Sequence, residues 1–361
     1  MSPKDLATSA PRPGGRTGEV RLTPLEAAVF RALQEDGRAP FTAVAERLGV
    51  TEASVRRTVR RLMVEDVFTI TAVADPRLFG LESMAWLTLS VRPADIEATA
   101  AALAGFDEID YVVVATGAAN VMAEAACADT DACHALVQRI RALPGVRRTE
   151  TFPYFAVLHQ QFRWTSEDDP AASLPARAAR GVRRAPPGLG PLDRKLIGEL
   201  EHNGRASFRE LGDRLGVSER AVSARFTELS ERDALRVIAV GNPHALAFDG
   251  LAWLGITLED DADLDDVADA LAAVAQLSYL VSVSGRFDLM GELVCRDRDH
   301  LLTTLEDRIG RVRGIAAVEI FYYLRLLYRT TCGAWGAARS RAVTVTTDAR
   351  PEEVRPVRHL R

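Results

Sequence analysis

The chain has 361 residues, enough for two to four domains that each bury a core. Its 47% apolar and 26% charged content is ordinary for a soluble globular protein, and a formal net charge of -5 argues against non-specific coating of nucleic acid, so any DNA contact must come from a local patch. Cys127, Cys133, Cys295 and Cys332 form no Cys-x-x-Cys pair and the six histidines show no ligand spacing, so neither a metal site nor a cofactor is expected.

Residues 1–20 carry Pro, Gly and charge without an apolar core, which predicts a disordered tail rather than a signal peptide or membrane span. Three short helices follow. The first starts at Pro24 and keeps helical spacing from Leu25 to Leu33; the second carries Phe41, Val44, Ala45 and Leu48 and ends at Gly49. Thr51 caps the third, whose apolar stripe is Val55, Val59 and Leu62. An extended run from Phe68 to Val73 closes at Asp75-Pro76. Strand and helix then alternate: strand 84–91, helix 94–104, strands 111–116 and 121–127, helix 131–142, and a last strand 146–158. That order is β-α-β-β-α-β, the ferredoxin-like arrangement.

The whole pattern then repeats. Residues 22–91 recur without a gap, at an offset of 167, as residues 189–258, and Gly37-Arg38-Ala39, Leu48-Gly49-Val50 and Trp86-Leu87 each meet the same residue types. The period is far too long for a solenoid. The fold class is therefore α+β: two copies of a winged helix-turn-helix domain followed by a ferredoxin-like βαββαβ domain. The expected boundaries are a tail at 1–20, helix-turn-helix units at 21–80 and 189–247, ferredoxin-like domains at 81–162 and 248–335, a Pro- and Ala-rich linker at 163–188, and a polar tail at 336–361.

A capped helix, a glycine turn and a thirteen-residue helix make the helix-turn-helix signature, whose second helix lies in the DNA major groove. At about 100° per residue, Ala53, Ser54, Arg57, Arg60 and Arg61 point away from the apolar stripe, with Arg56 on the flank. Residues 51–63 hold four arginines against the single Glu52, unlike a solvated face of mixed sign. Arginine forks onto guanine or neutralises phosphate, so double-stranded DNA is the expected partner. In the second copy Ser218 caps a helix that offers Arg220, Ser223, Arg225 and Thr227, but Arg220 and Arg225 are balanced by Glu219 and Glu228. That helix reads as the weaker or more selective reader, or one that has lost DNA binding.

With these residues in place, the chain closely resembles the leucine-responsive regulatory protein/AsnC (Lrp/AsnC) family of transcription regulators. The resemblance is carried by Pro191 to Ile197, Asn203-Gly204-Arg205-Ala206, Leu215-Gly216-Val217-Ser218, Val222 to Leu229, and Val283-Ser284-Gly285-Arg286-Phe287-Asp288. It implies a regulator whose ferredoxin-like domains sense an amino acid or related small molecule, pair through their sheets and assemble into homo-oligomers. It also implies an effector-binding turn at Gly285 and Asp288, matched by Gly117 and Asn120 in the first copy, although glycine and Asp or Asn equally suit a plain β-turn. The family arginine at Arg225 is Thr58 in the first copy, with Arg57 as a candidate substitute.

No catalytic residues are assigned, because no phosphate loop, nucleophile elbow or His-Glu-x-x-His motif occurs, so the chain is read as a non-enzyme. Two alternatives stay open: a tetrapyrrole (sirohaem) decarboxylase-like enzyme on the same tandem module, and an interaction protein that binds no DNA. No histidine lies in 111–127 or 279–295, which counts against the first. The expected location is the cytoplasm, at the nucleoid, away from membranes.

Overall fold

A computed structural model of the protein describes residues 22–74, 76–161, 189–232, 234–243, 245–246 and 248–329. The tails expected at 1–20 and 336–361, the linker at 163–188 and Asp75 lie outside the described residues. Each helix-turn-helix unit is three helices and a strand: α1 (Pro24–Glu35), α2 (Phe41–Leu48), α3 (Glu52–Val64) and β1 (Phe68–Ala74). The second copy gives α6 (Pro191–His202), α7 (Phe208–Leu215), α8 (Glu219–Glu231) and β6 (Leu235–Gly241). Thr51 and Ser218 cap the third helices, each accepting from a backbone N–H three residues on at 3.2 Å. Gly49 and Gly216 end α2 and α7 in the left-handed region, at φ 65° and 69°, where a Cβ would be strained.

The two units do not stand apart. β1 pairs antiparallel with β6 from Phe68–Gly241 to Ala74–Leu235, so each copy completes the other's sheet, and one continuous apolar core runs through both units. The repeated Gly-Arg-Ala segments lock this pairing reciprocally. Arg38 donates to the carbonyls of Gly204 (2.7 Å) and Ala206 (3.0 Å), and Arg205 donates to those of Gly37 (2.7 Å) and Ala39 (3.2 Å). Each guanidinium lies over an aromatic ring of the opposite copy, Arg38 at 4.6 Å from Phe208 and Arg205 at 4.0 Å from Phe41. Gly37 and Gly204 are required there by space: a Cβ would meet the Val237 carbonyl oxygen at 2.9 Å or the Ile70 carbonyl oxygen at 2.8 Å.

The ferredoxin-like domains follow the expected order. The first holds β2 (Ser83–Val91), α4 (Ile96–Leu103), β3 (Ile109–Ala115), β4 (Val121–Cys127), α5 (Thr130–Arg141) and β5 (Val146–Gln160). The second holds β7 (Gly250–Leu258), α9 (Leu264–Ala272), β8 (Leu277–Val283), β9 (Leu289–Cys295), α10 (Arg298–Asp307) and β10 (Ile315–Arg329). Their sheets join edge to edge into a closed barrel, β10-β3-β4-β2-β5-β8-β9-β7. The two fifteen-residue strands make the closure. β5 pairs with β2 through Pro153 and then with β8 from Tyr154; β10 pairs with β7 through Tyr322 and then with β3 from Tyr323. The helices cover the outer faces over separate apolar clusters. Among the described residues no helix is long and apolar enough to cross a membrane.

Aromatic rings fill the barrel, with Trp86 and Trp253 packed at 4.0 Å between centroids. Two carboxylates, Glu292 buried and Glu124 half-buried, are each held by one tyrosine from each domain. Glu292 accepts from Tyr111 and Tyr323, both at 2.6 Å, and Glu124 accepts from Tyr154 at 2.7 Å and Tyr279 at 3.1 Å. The copies part at the next residue. Ser278 donates to Glu292, whereas its counterpart Asp110 leaves one carboxyl oxygen buried without a partner. Burial, and then the Glu124 carboxylate, push Asp110 well above the usual carboxylate range. Its folded value therefore exceeds the unfolded one, and the resulting loss of stability grows as pH rises above about 4. Asp110→Ser supplies a hydroxyl that can donate to Glu124, and we expect it to stabilise the chain by about 1–3 kcal/mol at neutral pH. Urea unfolding across pH checks this: the gain should shrink as pH falls toward about 4, and a pH-independent or negative effect would contradict it.

Candidate nucleic-acid interface and ligand cleft

The recognition helix α3 buries the expected stripe of Val55, Val59 and Leu62. Burying side chains of this size contributes about 1.5–3 kcal/mol each, enough to fix which face turns outward. Ala53, Arg56, Arg57, Arg60 and Arg61 are exposed on that outward face, and Ser54 is half-buried near the cap. These arginines are not equivalent. Arg56 pairs with Glu52 one turn back and lies 5.5 Å from the Phe41 ring. Arg61 reaches across to the buried Glu26 of α1 and lies 3.8 Å from Glu65. Arg57 and Arg60 carry no ion pair among the described residues, which leaves them available to phosphate or base edges.

In the second copy Arg220, Thr227 and the cap Ser218 are exposed, and Ser223 and Arg225 are half-buried. Arg225 forks onto Asp193 of α6, with Nη2 2.7 Å from Oδ2 and Nε on Oδ1, and also pairs with Glu228 at 2.6 Å. Asp193 matches Glu26, and both carboxylates also accept the backbone N–H three residues earlier, Gly190 at 2.7 Å and Thr23 at 2.8 Å. One acid thus caps the first helix and anchors the recognition helix in both copies. The Thr58 substitution is compensated by Arg61, one turn further on, where the longer Glu26 reaches it; the expected substitute, Arg57, points to solvent. Arg61 and Arg225, expected at the DNA face, each also hold a carboxylate at the helix–helix contact. The sequence signal for this was the acid at Glu26 and Asp193, thirty-five and thirty-two residues from its partner.

The turns expected to bind an effector do lie together, one at each end of the barrel seams. Gly117 (φ 111°) stands against Phe321 of the second domain and Gly285 (φ 141°) against Phe152 of the first. Asn120 and Asp288, however, close strand ends. Asn120 exchanges two 2.8 Å hydrogen bonds with the backbone of Val91, and one Asp288 oxygen accepts from the Leu258 N–H at 2.8 Å. The plain-turn reading accounts for these contacts. Between the turns lies a cleft of about 270 Å³, lined by Thr88, Ser90, Ala118, Ala119, Arg148, Glu150, Arg286 and Glu319. Arg286 sits between two equivalent acids of the copies, 3.2 Å from Glu150 and paired with Glu319, and these acids hold its guanidinium above its ordinary value. Its copy-one counterpart is Ala118. The Phe287 ring presses on Gly255, where a Cβ would meet it at 2.4 Å, whereas its counterpart Ala119 leaves room over Thr88 and Ser90. Arg286, Glu150 and Glu319 carry no local signal for this cleft in the sequence, because it is assembled from both domains.

Comparisons with known proteins agree with this architecture. The AsnC-type helix-turn-helix domain matches residues 27–63 and 191–230, and the Lrp/AsnC ligand-binding domain matches 84–162 and 251–331. The chain belongs to the Lrp/AsnC family of transcriptional regulators, in a tandem form that carries both domains twice. An HTH-type transcriptional regulator of Pyrococcus horikoshii is 30% identical over 135 residues, 37% of this chain and 85% of its own. The regulator LrpA of Mycobacterium tuberculosis is 32% identical over 134 residues, 36% of this chain and 85% of its own. The crystal structure of the siroheme decarboxylase NirDL shares the fold at 17% identity, with a TM-score of 0.60 over 86% of this chain and 94% of that one.

The anchoring pairs make a testable difference between the copies. Arg225→Ala strands Asp193, 2% exposed, and we expect a loss of about 1–3 kcal/mol, against less for Arg61→Ala at the more exposed pair. Burial opposes ionisation of Asp193, but Arg225 and the Gly190 N–H outweigh it and hold the carboxyl below its ordinary value. Its contribution is thus present above about pH 4 and is lost as pH falls through the folded value. Chemical unfolding at neutral and acid pH should show Arg225→Ala and wild type converging in acid; a constant gap would sink the assignment.

Proposed function

We propose that the chain is a sequence-specific, non-enzymatic DNA-binding regulator in which one chain supplies two unequal recognition helices, α3 and α8, tuned by a small ligand in the cleft between the sensing domains. The observation that carries this reading is the pair of exposed, unpaired guanidiniums Arg57 and Arg60 on α3, against Arg220 alone at matching exposure on α8. α3 then supplies most of the phosphate neutralisation, with Ser54 and Arg56 beside it, while Ser218, Arg220, Ser223 and Thr227 supply a weaker contact from α8. Domain boundaries near 80, 162, 188 and 247 are part of this proposal, and the matched segments 27–63, 84–162, 191–230 and 251–331 support them. Homo-oligomers of the chain fit the symmetric assembly common to soluble proteins.

An amino acid or related metabolite suits a cleft that offers two guanidiniums, two carboxylates and the Thr88 and Ser90 hydroxyls. Such a ligand acts by favouring one placement of the domains over another. The tetrapyrrole reading rests on the fold alone, and the interaction-protein reading leaves the basic face of α3 without a role.

The test is selection of binding sites from random DNA, followed by salt titration of variants. We expect unequal half-sites, and a log–log salt slope reduced by about 1.8 in Arg57→Ala/Arg60→Ala but by only about 0.9 in Arg220→Ala. A clean palindrome, equal losses from the two helices, or no DNA retention would contradict the proposal. In the same assay, a shift in affinity with an amino acid should disappear in Arg286→Ala.

A further inference from the structure

Cys127 ends β4, and Cys133 is the fourth residue of α5, which starts three residues later. Both side chains are buried in the cluster between the first sheet and its helices, at 1% and 7% exposure. Their thiols interact with each other, and the hydroxyl of Ser83, which faces Cys127 across the β2–β4 ladder, bonds to Cys133. Only the first domain is built this way. Cys127 recurs as Cys295, but the position of Cys133 is Leu301, and the Cys295 thiol is directed to the Thr304 hydroxyl at 3.7 Å. Residues 128–131, which join Cys127 to the first turn of α5, are exposed. The site also borders the helix-turn-helix core: Ala126 packs within that core, and the Glu82 N–H donates to the Ala128 carbonyl at 3.3 Å.

We propose that Cys127 and Cys133 are a reversible redox modification site, oxidised by a peroxide to an intradomain disulfide that the second domain cannot form. The polarity of the pair supports the order of events. The Cys127 hydrogen bond, opposed by burial and aided by Ser83, lowers the Cys133 thiol to about 7, while Cys127 is pushed up and keeps its proton. The Cys133 thiolate attacks one peroxide oxygen, the O–O bond breaks, and hydroxide leaves, giving a sulfenic acid. Cys127 sulfur then attacks the Cys133 sulfur; the S–O bond breaks and water leaves with the Cys127 proton. Two thiols are oxidised and one peroxide is reduced to two waters. Exchange with an external dithiol reverses the step. The bond ties α5 to the strand end that abuts the helix-turn-helix core.

Peptide mass spectrometry on the full chain after hydrogen peroxide tests this. Both cysteines fall in one tryptic peptide, residues 78–139, since Pro93 blocks cleavage after Arg92, so the disulfide appears as loss of two hydrogens, restored by dithiothreitol. We expect that loss in wild type, none in Cys133→Ser, and in Cys127→Ser a sulfenic acid at Cys133 that dimedone traps. Near-ultraviolet circular dichroism identifies any variant that has lost its fold, and the wild-type result stands without them. The proposal is overturned if peptide 78–139 stays reduced while peptides with Cys295 or Cys332 oxidise, or if Cys127 rather than Cys133 takes the dimedone. Linkage of either cysteine to a second chain would overturn it too.

Discussion

Closure of the eight-stranded barrel is the constraint on which the remaining structure depends. A four-stranded ferredoxin-like sheet has two open edges, here β3 and β5 in one domain and β8 and β10 in the other. Unpaired edges invite association with other chains, and closing the sheet removes them. The chain solves this within itself by making its two last strands twice as long as the strands they cross to. The first half of each belongs to its own domain and the second half to the other, so neither sheet is complete alone. Once the edges are joined, the inner faces must fill with matched rings and paired polar groups, as Trp86 with Trp253 and the tyrosines on Glu124 and Glu292 do.

The same logic operates at the other end of the molecule. The strand after each recognition helix has no hairpin partner in its own copy, and the β1–β6 ribbon supplies one. Arg38 and Arg205 then satisfy backbone carbonyls of the opposite copy while stacking on its rings. Burial lowers both guanidiniums below their ordinary value, and the carbonyls they bond are what makes that burial tolerable. The two helix-turn-helix units are therefore joined by contacts that are symmetric, even where the outward faces of their recognition helices are not. Duplication kept the residues that hold the pair together and released those that face outward, so Glu26 with Arg61 and Asp193 with Arg225 do the same work through different arginines.

Much of this was legible in the amino-acid sequence, and for a physical reason. Helix and strand periods, caps at Thr51 and Ser218, and glycine turns at Gly49 and Gly216 are local signals, so the element order and the buried stripe of Val55, Val59 and Leu62 follow directly. Long-range partnerships leave no such period. Nothing within α3 distinguishes Arg61 from Arg57; the difference is Glu26, which only the packing of α1 brings close. Asn120 and Asp288 match as a pair, but that both bond the backbone of a neighbouring strand end depends on the ladder and leaves no local signal. The cleft draws on β2, β5 and β10 at once, so Arg286 had no visible partner until the seams were closed.

One chain closes its own barrel, and the Trp86–Trp253 stack reports on that closure directly, since indoles this close give a bisignate circular-dichroism couplet. Trp86→Phe and Trp253→Phe chains would each lose the couplet. Co-refolding the two variants in equal amounts then separates the possibilities. Closure within a chain predicts that the mixture stays without the couplet, because each chain still lacks one indole. Its return in the mixture would mean that domains from different chains meet, and would contradict the account.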